Sequence, residues 1–81
     1  MRLDKFLKVS RIIKRRTVAN EACDGGRVSV GGRTVKASYD VKAGDEITIL
    51  FGEKPLRIRV LNVKENVRKD EAASLYEVIT N

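Results

Sequence analysis

Hydrophobic positions change their spacing once along the chain, from a helical repeat to an alternating one. In the helical part, Leu3, Phe6 and Leu7 share one side of a helical wheel, which predicts a short amphipathic helix over residues 2–8. Extending this helix would place the next two isoleucines among cations. We therefore expect the helix to break near Ser10, with a second helix beyond it.

A second apolar stripe predicts that second helix. Its spacings of one, four and five residues put four small or branched side chains on one face: Val18, Ala19, Ala22 and Cys23. The glycine pair at residues 25–26 is a typical helix stop. Arg15, Arg16 and Thr17 then lie at the first turn, where free backbone N–H groups favour an anion.

From Arg27 onwards, apolar residues alternate with polar ones, as they do in half-buried strands. Gly31-Gly32 predicts a tight hairpin turn, and residues 46–51 and 56–63 predict a strand pair with Ile47, Ile49 and Phe51 on one inward face. Residues 36–44 resemble a loop, residues 64–74 a charged, mobile loop, and residues 75–79 a closing strand.

The charge of the chain is concentrated at one end. The net charge is +6, from 17 basic and 11 acidic residues. The first sixteen residues hold seven cations and one acid, Asp4, so the remaining residues sum to zero. Flanking acids that would balance this basic face are missing, which favours contact with RNA or DNA over a merely solvated surface.

Other classes of function find little support in the composition. A chain of 81 residues predicts one domain, residues 1–81, and one cysteine with no histidine leaves no disulfide and no usual zinc pattern. A reduced, cytoplasmic setting fits, and neither a membrane span nor a signal peptide is expected. Cys23 lies on the apolar stripe without a histidine to activate it, so we expect core packing.

Three further residue groups have alternative interpretations. Asp4 is expected to be solvated, capping, or placed to position Lys8 one helical turn away. Arg57 and Arg59 share a strand face, where Glu53 and Glu65 make plain solvation as good an explanation as nucleic-acid binding. The four aromatic residues are few, and Phe6 and Phe51 look buried, so base stacking is disfavoured. Phosphate contacts with a structured RNA fit better, and duplex DNA stays open.

Several motifs in matching order resemble a known module. These are RLDKFL, RRTVA, GGRVSVGGRTVKAS and VKAGDEITI, within roughly the first fifty residues. Together they resemble the RNA-binding module of ribosomal small-subunit protein four (the S4 domain). Within that superfamily, RLDKFL and EAASLYEVI extend a likeness to the family of the fifteen-kilodalton heat shock protein and its short RqcP-like relatives over nearly the whole chain.

The resemblance implies a fold and a task. The fold is α+β, with two N-terminal helices packed on a small, mostly antiparallel sheet and a helical face that binds folded RNA. The task is ribosome-associated quality control: binding a large subunit blocked by peptidyl-tRNA and holding the P-site tRNA. An RqcH-type factor then adds alanines to the nascent chain. The family's basic residues correspond to Arg2, Lys5, Arg16 and Lys36, with Ser38 close by.

Two features of this chain differ from the fifteen-kilodalton heat shock protein. The fifteen-kilodalton protein has a long basic C-terminal extension where this chain ends at Asn81, and Ala37 stands where that relative is expected to have proline. The missing extension favours the RqcP-like members. The module also occurs beside catalytic domains in other enzymes, for which this chain leaves no room.

The combined prediction is a monomeric, non-enzymatic RNA-binding factor that needs no cofactor or metal and binds no membrane. Its partners are large-subunit rRNA and P-site tRNA. The RNA-binding residues are predicted to be Arg2, Lys5, Lys8, Arg11, Lys14, Arg15, Arg16, Lys36 and Ser38. Two alternatives stay open: a subunit that delivers RNA to a separate modifying enzyme, and a regulator that binds duplex DNA.

Overall fold

The computed structural model describes residues 1–79, in which two helices pack on a five-stranded antiparallel sheet. The strand order is β2-β1-β3-β4-β5. This arrangement confirms the expected α+β fold. In chain order the elements are α1 Leu3–Val9, α2 Arg16–Asp24, β1 Val28–Val30, β2 Arg33–Thr34, β3 Glu46–Phe51, β4 Lys54–Val60, a 3₁₀ helix Ala72–Leu75 and β5 Tyr76–Val78.

The break between the two helices lies where the hydrophobic pattern predicts it. Helix α1 ends at Val9, and the Ser10 N–H donates to the Phe6 carbonyl at 2.9 Å. Arg11 then adopts a left-handed backbone conformation with φ 63°, which carries the chain out of the helix. Residues other than glycine disfavour the left-handed region, because their Cβ atom crowds the backbone there. The turn at Arg11 is therefore a strained link between α1 and α2.

The inward face of α2 is narrower than the stripe predicts. Ala19 and Cys23 are fully buried, but Val18 is 47% exposed. The prediction that Val18 packs in the core is therefore wrong. Val18 lies 100° around the helix from Ala19, at the edge of the buried face.

The first hairpin has the tight turn that its glycine pair predicts. Val30 pairs with Arg33, so Gly31 and Gly32 form a two-residue turn with φ angles of 59° and 85°. Positive φ at both turn residues is the geometry that matches the twist of the flanking strands, and glycine adopts it without steric cost.

The central strand pair β3–β4 forms the floor of the core. Ile47 pairs with Ile58 in the register, and both are buried together with Ile49 and Val60. Phe51 is 47% exposed, so its predicted burial is wrong. It is the last residue of β3 before the hairpin turn, where it lines a shallow surface pocket together with Val18 and Ala22 of α2.

The C-terminal segment is more structured than its charge predicts. The 3₁₀ helix occupies the end of the expected loop at residues 64–74, and its Ala72 and Leu75 are buried. The closing strand is present as β5, although Leu75 belongs to the 3₁₀ helix rather than to the strand. Ala72 and Leu75 anchor this segment to the core. The charged residues around them made the segment look like a loop in the sequence.

The loop after β2 holds the start of α1 in place. The Leu3 and Asp4 N–H groups donate to the Tyr39 and Ala37 carbonyls at 2.8 and 3.2 Å. The terminal ammonium group of Met1 forms an ion pair of 2.7 Å with Asp40. These contacts place residues 37–40 beside the N-terminus of α1.

Candidate nucleic-acid interface

The seven cations of the N-terminal stretch lie on the two helices and the link between them. In chain order they are Arg2 at the α1 N-cap, Lys5 and Lys8 on α1, Arg11 and Lys14 in the link, Arg15 at the α2 N-cap and Arg16 as the first α2 residue. All are exposed except Lys5, which is partly buried. Five of them fall into two groups with different surroundings.

The first group, here called the Asp4 cluster, consists of Arg2, Asp4, Arg16 and Asn20. Arg2 Nε donates to Asp4 Oδ1 at 3.1 Å, and Asn20 Nδ2 donates to Asp4 Oδ2 at 3.1 Å. Arg16 Nε lies 3.5 Å from the same Oδ2. One carboxylate therefore joins the first residue outside α1 to the first residue of α2.

Asp4 is held as an anion although it is almost completely buried. Its side chain is 2% exposed. Burial by itself would raise the pKa of the Asp4 carboxyl. Hydrogen bonds from Arg2, Asn20 and the Lys5 backbone N–H, together with the charge of Arg16, outweigh burial and lower this pKa. The hydrogen bond to Asp4 also raises the pKa of Arg2.

The two arginines keep free binding capacity. Their side chains are 49% and 47% exposed, and each guanidinium has more N–H donors than its contact with Asp4 uses. Two cations against one carboxylate leave the cluster with one net positive charge. Arg16 also lies in the first turn of α2, whose N-cap residue makes no side-chain capping bond. Backbone N–H groups and guanidinium groups can thus share one phosphate there.

The predictions that Asp4 is solvated or pairs with Lys8 are wrong, because its side chain is buried and no described contact joins it to Lys8 within residues 1–79. Its carboxylate accepts a hydrogen bond from the Lys5 N–H in the first turn of α1, as a capping role implies, and further hydrogen bonds from Arg2 and Asn20. Sequence reasoning missed both Asp4 and Asn20 as organising residues. One signal was available for Asp4, because it lies about 60° from Leu7 on the helical wheel, at the border of the apolar face.

The second group, here called the α1–loop groove, lies between the end of α1 and the segment 65–71. Lys8, Arg11 and Lys14 line one side. Arg68 and Lys69 line the other, with Glu65 and Glu71. The structure therefore does not bring all the predicted cations to one point.

Lys36 and Ser38, which came from the family resemblance, are exposed on the loop after β2. The residue between them, Ala37, donates its N–H to Asp24 Oδ1 at 3.1 Å and accepts a hydrogen bond from the Asp4 N–H. These backbone contacts place the segment beside both helices, on the side of the Asp4 cluster.

The strand arginines are paired, but with other acids than expected. Arg59 donates to Glu77 at 2.8 Å and lies 3.9 Å from Glu46, which is 3.8 Å from Arg57. Glu65 instead lies 3.5 Å from Lys5. The acids that face this strand surface come from β3 and β5, which neighbour β4 in the sheet and not in the sequence.

Cys23 behaves as the sequence predicts. It is 1% exposed, and burial, with smaller effects from the charges of Asp4 and Asp24, raises the pKa of its thiol to about 11. The thiol is therefore protonated at neutral pH and unsuited to nucleophilic chemistry. Over the described residues, no cluster of potential metal ligands is found, and no helix is long and apolar enough to cross a membrane.

A short helical pair with a cationic edge, set on a small antiparallel sheet, defines an S4-type module. The family model described as "S4 domain" matches residues 1–47, and the chain belongs to this family. Individual relatives indicate which members of this family the chain is similar to. A protein of Halalkalibacterium halodurans named RQC P-site tRNA stabilizing factor is 60% identical over 78 residues, covering 96% of this chain and 89% of that protein.

Two more similarities agree with this placement. A Bacillus subtilis protein of the same name is 54% identical over 79 residues, covering 98% of this chain and 92% of its own length. Among solved structures, the trimeric heat shock protein 15 of Vibrio cholerae superposes with a TM-score of 0.90 at 32% identity, covering 98% of this chain and 81% of that chain.

Proposed function

We propose that this protein is a non-catalytic RNA-binding factor of ribosome-associated quality control. It binds large ribosomal subunits that carry a peptidyl-tRNA and stabilises the tRNA in the P site. The Asp4 cluster carries this proposal, because it fixes two half-exposed arginines from different helices at one place. The names of the relatives at 60% and 54% identity support the ribosomal setting.

In the proposed mechanism, the protein makes and breaks no covalent bond. Arg2 and Arg16 bind phosphates of folded rRNA or tRNA, and the α2 N-terminus adds backbone donors. The sheet holds the two helices in a fixed relation, so binding selects one arrangement of the RNA. The remaining proposed contacts lie on the helices, on the link between them and on the loop after β2: Lys5, Lys8, Arg11, Lys14, Arg15, Lys36 and Ser38.

The finer parts of the proposal concern partners. A tRNA held in the P site would allow an RqcH-type factor to add alanines to the nascent chain. The protein would act in the cytoplasm as a monomer with residues 1–81 forming one binding unit, although the Vibrio cholerae relative is described as trimeric. Light scattering on the free protein tests the monomer, and a trimer in solution would contradict it.

Sedimentation with purified large subunits, with and without bound peptidyl-tRNA, tests the proposal. We expect co-sedimentation that strengthens when peptidyl-tRNA is present. The Arg16→Ala variant should bind more weakly by about 1.5–3 kcal/mol, the usual contribution of a charged hydrogen bond, while its circular dichroism spectrum stays unchanged.

Three outcomes would contradict the proposal. Equal binding by the folded Arg16→Ala variant would remove the cluster from the interface. Competition by duplex DNA as strong as by rRNA, or co-purification with an RNA-modifying enzyme in place of large subunits, would favour one of the two alternative functions.

A further inference from the structure

The α1–loop groove has walls from two parts of the chain that are distant in sequence. Lys8, Arg11 and Lys14 form one wall, and residues 65–71 form the other. Five cationic and two acidic side chains line the groove, for a net charge of +3. Residues 65–71 alone carry a nearly balanced charge. Their two cations, Arg68 and Lys69, form part of a cationic surface only because they face the first wall of the groove.

The cations of the groove are poorly neutralised. Among residues 1–79, no ion pair of 4.0 Å or less joins Lys8, Arg11, Lys14 or Lys69 to a carboxylate, and Arg68 lies at that limit, 4.0 Å from Glu71. Glu65 is 3.5 Å from Lys5, which lies outside the groove. The pairing on the strand face is much closer, with 2.8 Å between Arg59 and Glu77.

The C-terminal wall is anchored to the fold. Val67 packs against the hydrophobic core, and the Arg68 carbonyl accepts hydrogen bonds from the Glu71 and Ala72 N–H groups at 2.9 and 3.1 Å. Ala72 is itself buried. Arg68 and Lys69 therefore stand on a turn whose backbone is fixed at both ends, so binding needs little further ordering of the backbone.

The opposite wall contains Arg11, whose backbone conformation is strained. Its φ of 63° lies in the left-handed region, which residues other than glycine disfavour. Hydrogen bonds from Arg11 N–H to the Lys8 carbonyl and from Ile13 N–H to the Leu7 carbonyl, at 3.0 and 3.1 Å, hold it there. A long cation thus occupies a position suited to glycine, and its side chain lines the groove.

We propose that the α1–loop groove is a second RNA-phosphate site, in which Arg68 and Lys69 bind the same strand as Lys8, Arg11 and Lys14. The occupant is a nucleic-acid backbone, because the groove is polar, open and cationic and adjoins the N-terminal cations. This inference rests on the proposed function and extends its interface to the C-terminal segment. It assigns the groove to successive phosphates of one strand, separate from the phosphate at the Asp4 cluster.

A charge-matched comparison tests this site. The double variant Arg68→Ala, Lys69→Ala removes two groove cations, and Lys42→Ala, Lys54→Ala removes two exposed cations outside the groove. In salt titrations of binding to purified large subunits, the groove variant should flatten the slope of log affinity against log salt by about 1.5–2 units. The control variant should keep the wild-type slope.

A second measurement tests directly whether RNA lies next to residue 68. Arg68→Cys provides a site for a tethered hydroxyl-radical probe, while buried Cys23, with its thiol pKa raised to about 11, stays unlabelled in the folded protein. We expect localised rRNA cleavage from position 68 and none above background from Lys54→Cys. Absence of cleavage from position 68, with binding retained, would overturn the site.

The outcomes separate this inference from the proposed function. If Arg16→Ala weakens binding and the groove variant binds with an unchanged slope, only the groove assignment fails. If the wild-type protein does not sediment with large subunits, the proposed function itself fails. If the groove variant keeps its rRNA slope and loses binding to polyglutamate, the groove belongs to an acidic protein partner and the RNA assignment is overturned.

Discussion

Two arginine pairs of this protein have the same chemistry and opposite surroundings. Arg2 and Arg16 come from different helices and share one buried carboxylate, that of Asp4. Arg57 and Arg59 come from one strand and face two carboxylates, those of Glu46 and Glu77. All four guanidinium side chains are roughly half exposed. The helix pair keeps a positive charge, and the strand pair is neutralised.

The number and burial of the neighbouring acids decide whether an exposed arginine is available for binding. On the strand face, carboxylates at 48% exposure form ordinary surface pairs, which contribute little to stability and occupy the cations. In the Asp4 cluster, a single buried carboxylate fixes two cations without matching their charge. Such fixed donors favour a phosphate that supplies the missing negative charge.

The largest expected effect is a difference in salt dependence between the two faces. Replacing Arg2, Lys5 and Arg16 by alanine should flatten the salt slope of large-subunit binding by about 2–3 units, because each lost phosphate contact removes about 0.7–0.9. Replacing Arg57 and Arg59 should change it little. Salt titrations of both variants check this. If the strand variant controls the slope instead, the RNA surface lies on the sheet and the comparison is reversed.

Asp4→Asn tests the buried carboxylate directly. Loss of the charged hydrogen bonds should destabilise the fold by about 1–3 kcal/mol at neutral pH, measured by urea unfolding. The matched control is Asp40→Asn, whose carboxylate pairs with the terminal ammonium group but is 69% exposed. Its effect should stay below about 1 kcal/mol.

The pH dependence of that difference follows from the sign of the shift. The pKa of Asp4 is lowered in the folded protein, so its stabilisation is fully present above the unfolded-state value. It is lost as pH falls through the folded-state pKa. The gap between wild type and Asp4→Asn should therefore shrink below about pH 4. A gap that stays constant into acid would show that the carboxylate charge contributes nothing.

Cys23→Ser examines the inward side of the helix that carries Arg16. A hydroxyl at this 1% exposed position should cost about 1–3 kcal/mol if it finds no partner, with affinity per folded molecule unchanged. Urea unfolding and a binding titration on the same preparation measure the two quantities. A stable variant that cannot bind would reveal a role of the thiol that packing does not explain.

The smallest effect is a gain on the neutral face. Glu46→Gln with Glu77→Gln removes both acids beside Arg57 and Arg59. We expect the salt slope of non-specific rRNA binding to steepen by about 1 unit or less, because the freed cations become available to phosphates. An unchanged slope would mean that geometry, rather than neutralisation, keeps the strand pair out of binding.

Local patterns in the sequence determined much of this protein. The helical repeat of Leu3, Phe6 and Leu7, the break after Ser10 and the glycine pair at residues 31–32 each depend on a few neighbouring residues. Period and turn chemistry act over that range, so both helices and the hairpins could be predicted. The concentration of charge before residue 17 likewise required no structure.

The tertiary structure decided which charges meet. Asp4 and Asn20 are sixteen residues apart, and Lys5 and Glu65 are sixty apart, so no local pattern connects them. The exposure of Val18 and Phe51 depends on how α2 sits against the end of β3, which the spacing of apolar residues cannot report. Ion pairing and burial depend on distance in space. Only the packing of the helices and of the C-terminal segment on the sheet fixes that distance. The same packing therefore decides which cations are paired with an acid and which are free to bind.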